Sequence, residues 1–478
     1  MNVCSLFRHI VRLAMISSLA AKFKSSSTKL TADLVHRAKI RSALGSYEKA
    51  RAGTTAHYQD WQAARDGASA LKWEAINHLD TYLVEFTDKL IARGTKVFWA
   101  SNGQEARDYV IALAKEKGAR SIIKSKSMTS EEIHLNEALR QAGYEVVESD
   151  LGEYIVQLRE EAPYHLVFPA MHLTRHEISD LFQEKLHSQP TDSPEELTMI
   201  ARRELRMKYL QADIGISGAN FGVAETGMIS ITENEGNARL TTALPKVHVA
   251  LMGIEKIVPK LADLALFLPM LATAGTGQQI TCYNSLIGGP RQPNEPDGPE
   301  EFHLILLDNQ RTQLLADAEQ RDALHCIRCG ACLNVCPIYR NIGGHSYATT
   351  YQGPIGSVIT PHLRGLMDWK HLSYASSLCG ACTETCPVKI DLHHHLLHNR
   401  RNAVAKQPDP AERFAFRAFA FMTRFPGLLN RLTRLSRHFM PLANAARSIL
   451  PPPVKGWVAS RDLPPIAAKS FRDYWRTR

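Results

Sequence analysis

The hydrophobic pattern along the chain changes period three times. From Leu30 to about Arg93, apolar residues recur at intervals of three and four, as at Ile76, Leu79, Tyr82, Leu83 and Phe86. That spacing predicts helices. Short apolar runs then alternate with helical segments. Lys96–Ser101, Ser121–Ser127, Tyr144–Ser149 and His165–Ala170 read as strands. The stretches QEARDYVIALAKEKG and SEEIHLNEALRQAG read as helices, the second with Ser130 as a candidate cap. Three more strands follow Gln211 (ADIGISG, MISITEN and VHVALMG), and FHLILLD (Phe302–Asp308) follows the linker PRQPNEPDGPEE. This alternation predicts βαβ units, and so an α/β domain with a parallel or mixed sheet. After His398 the pattern is helical, basic and aromatic up to the prolines at 451–453.

Charge divides the chain. Its net charge is +9, yet residues 401–478 hold 15 Lys and Arg against 4 Asp and Glu, so the remainder is close to −2. No nucleic-acid recognition motif accompanies the basic tail. Such a tail is expected to dock on an acidic partner or on membrane headgroups. No apolar run approaches the ~18–20 residues of a membrane-spanning helix. The N-terminal LAMISSLAA after Arg8 and Arg12 is too short and too polar for a good signal peptide; a leader or an amphipathic helix is expected there.

Cysteine brings in the chemistry. Seven of the nine cysteines fall between Cys326 and Cys386, while Cys4 and Cys282 stand alone. A local cluster of this kind in a long chain argues for a reducing, cytoplasmic compartment and against a disulfide framework. CIRCGACLNVCP (Cys326–Pro337) is C-x2-C-x2-C-x3-C-P, and SSLCGACTETCP (Ser376–Pro387) copies it with Ser376 in place of the first cysteine. In two-cluster ferredoxin arrangements the cysteine before the proline ligates the other cluster. One cluster is therefore expected on Cys326, Cys329, Cys332 and Cys386, and a second on Cys336, Cys379 and Cys382. Zinc has no use for three evenly spaced cysteines followed by a fourth before proline. Two [4Fe-4S] clusters are expected. For the second, three arrangements stay open: a Ser376 oxygen ligand, a fourth iron held by water or another side chain or left open, or a [3Fe-4S] cluster. A four-iron cluster with a non-cysteine fourth position is preferred. Arg328, Arg340 and Lys389 lie near ligands in sequence and either favour reduced clusters or are ordinary surface cations.

Other signals are weaker. The glycine-rich segment Ile216–Leu240 could present backbone N–H groups to an anion, with Glu225, Thr226, Asn237 and Arg239 lining a pocket. KSKSM at 124–128 has similar promise. In DLHHHLLH, His394 and His398 share a helix face at i, i+4 as a workable metal pair. The aromatic, arginine-spaced Phe414–Met440 suits a partner subunit or a membrane surface.

The motifs IIKSKSM, ESDLGEYIVQL, ADIGISGANFGVAETG, NEGNARL, DGPEEFHL, CIRCGACLNVCPIYR, GGHSYATTYQGPIG and YASSLCGACTETCPVKIDL occur in one order from about Leu30 onwards. In these the chain resembles the iron–sulfur protein family of L-lactate utilisation, the second component of a three-part lactate oxidation system. The resemblance implies a sugar-phosphate isomerase/CoA-transferase-like α/β domain, an α-helical two-cluster ferredoxin module and a helical basic C-terminal extension. It also implies a serine at the position of Ser376, partner lactate-utilisation subunits A and C, an unidentified electron acceptor, and a role in oxidising L-lactate to pyruvate. The expected divisions are a leader (1–30), a helical region (31–94), the lactate-utilisation domain (95–310), the cluster domain (311–400) and the extension (401–478). Two functional hypotheses follow: a non-catalytic electron-transfer subunit, or an oxidoreductase whose α/β domain binds an anionic substrate directly and uses the clusters as electron outlet.

Overall fold

The computed structural model describes residues 19–445 and, beyond them, 458, 467, 469 and 471–477. The expected leader falls mostly on residues outside these. Packing divides the chain into two units, residues 1–402 and 403–478.

The first unit is built on a six-stranded, wholly parallel sheet. Its strands are β1 (Lys96–Ala100), β2 (Ser121–Lys124), β3 (Glu145–Glu148), β4 (Ile214–Gly218), β7 (Val247–Gly253) and β10 (Glu301–Leu307). They lie in the order β1-β10-β7-β4-β2-β3. β7 and β10 sit inside the sheet and are the most continuously apolar; all seven residues of β7 are buried, as a strand covered on both faces requires. A smaller sheet, β8-β5-β6-β9, is formed by β5 (Phe221–Val223), β6 (Met228–Glu233), β8 (Ile257–Val258) and β9 (Tyr283–Ile287). The α/β class with a parallel sheet is therefore as expected.

Three local expectations are corrected. His165–Ala170 is not a strand. The buried His165 ring accepts hydrogen bonds through Nδ1 from the N–H groups of Val167 and Phe168, which curls the segment into a turn. Ser130 does not cap a helix; Ser127 does, accepting from the Ser130 N–H at 3.3 Å. The following helix is also broken at His134, whose left-handed backbone (φ 53°) separates Met128–Glu132 from Leu135–Gln141.

The cysteine region does not close a core of its own. One hydrophobic core runs from Ile40 and Leu44 in the helix Leu34–Thr55, through Phe221 and Phe267, to Leu333, Val358 and Leu396. The N-terminal helices clasp it. Tyr47 donates to the Ala274 carbonyl at 2.5 Å, and the Arg65 Nε donates to the Cys386 carbonyl at 2.9 Å. In the second unit, the helices Pro410–Arg424 and Pro426–Ala445 form the basic extension.

Candidate metal centre

The two cysteine motifs fold alike. In each, the residues flanking the second position of the C-x2-C-x2-C frame are left-handed: Arg328 (φ 61°) and Gly330 (φ 75°) around Cys329, Leu378 (φ 54°) and Gly380 (φ 82°) around Cys379. Glycine takes this backbone freely, whereas Arg328 and Leu378 take it at a cost of roughly 1–2 kcal/mol each. The reversal starts a short helix in each motif, Ala331–Asn334 and Ala381–Thr385, and the two helices pack together. That contact brings the thiols into two crossed groups. Cys386 lies where Cys329 and Cys326 act on it electrostatically, and Cys336 lies where Cys379 and Cys382 do.

Burial pushes the thiols of Cys329 and Cys386 up to about 12 and that of Cys382 to about 11, and holds Cys332 well above its usual range. Seven thiols are thus gathered, none in a disulfide, and most in surroundings where a thiolate needs a cation beside it. Backbone N–H groups are turned towards the sulfurs: Ala331 to Cys329, Ile355 to Cys332, Ile338 and Tyr339 to Cys336, and Ile390 to Cys386 at 3.4 Å. A zinc tetrahedron with bonds of ~2.3 Å would hold its sulfurs about 3.8 Å apart. Among the described residues no three thiols lie within 4.8 Å of one another. The donor set, its spread and its N–H donors fit iron–sulfur clusters.

Ser376 is half-buried, and its Oγ accepts from the Leu378 N–H at 3.1 Å, bracing the left-handed turn before Cys379. Its carbonyl accepts from Arg400 at 3.2 Å. Cys379 itself is exposed, unlike its counterpart Cys329.

The three cations near the motifs are neither free nor alike. Arg340 is bonded to Glu48 and to the Asn334 carbonyl at 2.6 Å, and Lys389 is bonded to Asp66. Arg328 is mostly buried, lies over the Tyr351 ring at 4.4 Å and bonds Glu255 at 3.2 Å. Glu255 in turn accepts from Arg311 Nε at 2.6 Å, and Arg311 clasps Glu132 through two bonds of 2.9 and 2.8 Å. Tyr351 donates to the same Glu132 at 2.6 Å, closing the network. Burial alone would raise the Glu255 carboxyl, but Arg311 and Arg328 hold it down at about 2. Sequence reasoning missed this network because its members are scattered; only Arg328 stood out, through its place between cysteines.

The other candidates fare differently. Glu225 and Thr226 lie at the turn before β6, while Asn237 and Arg239 follow its far end, roughly 17 Å away along six residues. Glu225 accepts from the Leu261 N–H at 2.8 Å, and Arg239 lies over the Tyr283 ring at 5.1 Å. The four therefore divide between the two ends of the strand Met228–Glu233. His394 pairs with Asp391 at 2.7 Å, while His398 packs beside the His395 ring with its Nδ1 unpartnered; the donors that gather in this segment are Asp391, His393 and His394. KSKSM proves more informative. Lys124, the last residue of β2, is fully buried between Glu148 at 2.8 Å and Glu131 at 3.2 Å. Glu148 ends β3, and beside it opens a cavity of about 770 Å³ lined with Glu131, Glu153, Glu161, His345 and Gln352. This is the carboxyl end of a parallel sheet, where open α/β folds place ligands.

Comparison with known proteins agrees with this architecture. Residues 83–307 match the LUD domain, 322–390 the 4Fe-4S dicluster domain, and 393–478 the family described as Lactate utilisation protein B, C-terminal. The chain is 44% identical to Lactate utilization protein B of Bacillus velezensis over 88% of its own length and 89% of that protein. It is 45% identical to the same-named protein of Geobacillus kaustophilus over 88% and 89%. A solved structure of a duf162 family protein from Deinococcus radiodurans is 15% identical, covers 48% of this chain and 98% of its own, and has a TM-score of 0.26. Three consecutive family matches and close relatives along nearly their whole length show that the chain belongs to the lactate utilisation protein B family.

Proposed function

We propose that this protein is the iron–sulfur electron-carrying subunit of an L-lactate-oxidising system. The observation that carries the proposal is the crossed grouping of thiols in a member of this family: Cys386 beside Cys326 and Cys329, and Cys336 beside Cys379 and Cys382. On this reading Cys326, Cys329, Cys332 and Cys386 hold one [4Fe-4S] cluster, and Cys336, Cys379 and Cys382 hold three corners of the second. When bound, such clusters pass single electrons. The chain's own part is to bury the first set, to point N–H groups at its sulfurs, and to leave the second open at Cys379. The fourth corner of the second cluster is a non-cysteine position beside Ser376, with exchangeable iron or a three-iron form as its consequence.

Lactate-utilisation subunits A and C are the proposed partners, with lactate oxidised outside this chain and electrons passed to a separate acceptor. The second unit offers the docking element. Phe414, Phe416 and Phe421 are exposed by 75, 66 and 59% on a helix that also carries Arg413, Arg417 and Arg424. That combination suits an acidic partner or the headgroups of an anionic membrane. Among the described residues no helix is long and apolar enough to cross a membrane.

The test is anaerobic titration of the assembled three-subunit complex with L-lactate, followed by EPR. Lactate-dependent reduction of clusters on this chain is expected. Clusters that dithionite reduces but lactate never does would overturn the proposal.

One observation favours a second reading, in which the α/β domain takes a metabolite itself: the cavity at the ends of β2 and β3. Its lining sets six glutamates, Glu131, Glu137, Glu148, Glu153, Glu160 and Glu161, against the guanidinium groups of Arg140 and Arg364, and is acidic on balance. A bare carboxylate such as lactate is poorly matched to it. A cation, or a ligand rich in hydrogen-bond donors, suits it better.

A further inference from the structure

Two residues that line this cavity, Glu161 and His345, meet the buried His172 behind them, and electron transfer uses none of the three. Glu161, His172 and His345 bring one ligand atom each to within 4.8 Å of one another. His172 is 8% exposed; its Nε2 lies 2.7 Å from Glu161 Oε1, and its Nδ1 is buried with no hydrogen-bond partner. His345 directs Nε2 to the Ala162 carbonyl at 2.7 Å. That bond places the proton on Nε2 and leaves the lone pair on Nδ1, the arrangement by which metal-bound histidines are oriented.

The meeting of the three is built in. Glu161 and His172 flank the loop after the helix Leu151–Leu158, whereas His345 follows the first cysteine motif. The backbone at Gly343 and Gly344 makes the approach possible. A Cβ on Gly344 would fall 1.7 Å from the Tyr164 carbonyl oxygen, and one on Gly343 would fall 1.6 Å from the Tyr164 hydroxyl. Only glycines let this segment of the cluster region press against the α/β loop and deliver the imidazole. Tyr164 also stacks on His172, with ring centroids 4.5 Å apart, holding that ring in place.

We propose that Glu161, His172 and His345 bind a divalent transition-metal ion. A donor set of two imidazoles and one carboxylate suits zinc, with a further coordination position open. Glu161 and His345 both line the cavity, so the open position faces it. An ion there would offset part of the acidic lining and give the cavity a Lewis-acidic wall. The site is separate from the cluster cysteines and stands whether or not the chain carries electrons.

The test uses full-length protein, purified anaerobically with its clusters intact and titrated with zinc chloride under chelator competition. Zinc, iron and sulfide are quantified in the same samples. About one tightly held zinc ion per chain is expected, with iron and sulfide unchanged. Glu161→Gln and His345→Gln are each expected to weaken zinc binding by more than ~100-fold while keeping iron and sulfide at wild-type levels. If His345→Gln disturbs cluster loading, Glu161→Gln decides, since it sits in the α/β loop. Zinc uptake only as iron is lost would assign the metal to the cluster cysteines and overturn the proposal. So would wild-type zinc affinity in Glu161→Gln, or no zinc uptake by the wild type.

Discussion

The two cysteine motifs share a backbone and differ in what surrounds them. Arg328 and Leu378 occupy equivalent left-handed positions. Arg328 is locked into a buried network with Glu255, Arg311, Glu132 and Tyr351, while Leu378 is only half-buried. A Cβ on Gly330 would meet the His165 ring at 3.2 Å, whereas one on Gly380 would meet nothing within 4 Å. The first motif is roofed at Gly330 by the α/β domain, whereas the second is open at Cys379 and Gly380 although its Cys382 and Cys386 are buried. One local sequence pattern can therefore build a closed site and an open one, because local pattern sets the turn and tertiary packing sets access. Ser376 falls beside the open position.

The largest way to break this contrast is to remove the roof. Arg311→Met should leave Glu132 and Glu255 buried beside one fewer cation and cost about 3–5 kcal/mol, as losing one partner of a buried ion pair does. Chemical denaturation under anaerobic conditions measures it, with a fall in cluster retention expected at the first site before the second. A variant as stable as the wild type would mean that the network does not hold the roof.

A smaller effect comes from His165, which bonds Asn334 at 2.9 Å above the first motif. Burial, with a further push from Lys126, lowers its pKa from 6.5 to about 3. Unfolded, it takes up a proton near 6.5; folded, it does not until about 3. Stability should therefore fall as pH drops below about 6.5, by up to roughly 1.4 kcal/mol per pH unit from this group. His165→Gln should flatten that slope between pH 6.5 and 5.5. An unchanged slope would remove His165 from the roof.

The smallest effect is expected at the surface. Lys389 pairs with Asp66 near the open motif, with side chains 34 and 64% exposed. Lys389→Ala should change stability by no more than about 1 kcal/mol, diminishing further in high salt. A larger loss would show the second motif to be less open than its exposure indicates.

Much of this was legible in the sequence, for identifiable reasons. β7 and β10 announce themselves because strands covered on both faces are mostly apolar, broken here only by His248, Glu301 and His303. The cysteine spacing is legible because cluster geometry constrains neighbours in sequence. His165–Ala170 misleads because its apolar residues serve a turn held by a histidine side chain, which hydrophobic pattern does not register. The roof was invisible: Glu132, Glu255, Arg311 and Tyr351 are buried charges and a phenol from distant segments, and only the fold brings them together. The same holds for Glu161, His172 and His345, although the glycine pair before His345 was a usable sign of close backbone approach. Glu225 and Thr226 are set apart from Asn237 and Arg239 by the strand Met228–Glu233, because proximity in sequence around a strand is separation in space.

Whether the two motifs exchange their last cysteines is decided by comparing Cys386→Ala with Cys336→Ala, using EPR and Mössbauer spectroscopy of anaerobic protein. Ser376→Cys is the companion variant that marks the second cluster. With crossed ligands, Cys386→Ala abolishes or converts the cluster of the first motif and leaves untouched the one whose spectrum shifts in Ser376→Cys. Cys336→Ala should do the reverse. If each substitution instead damages the cluster of its own motif, the crossed arrangement is wrong.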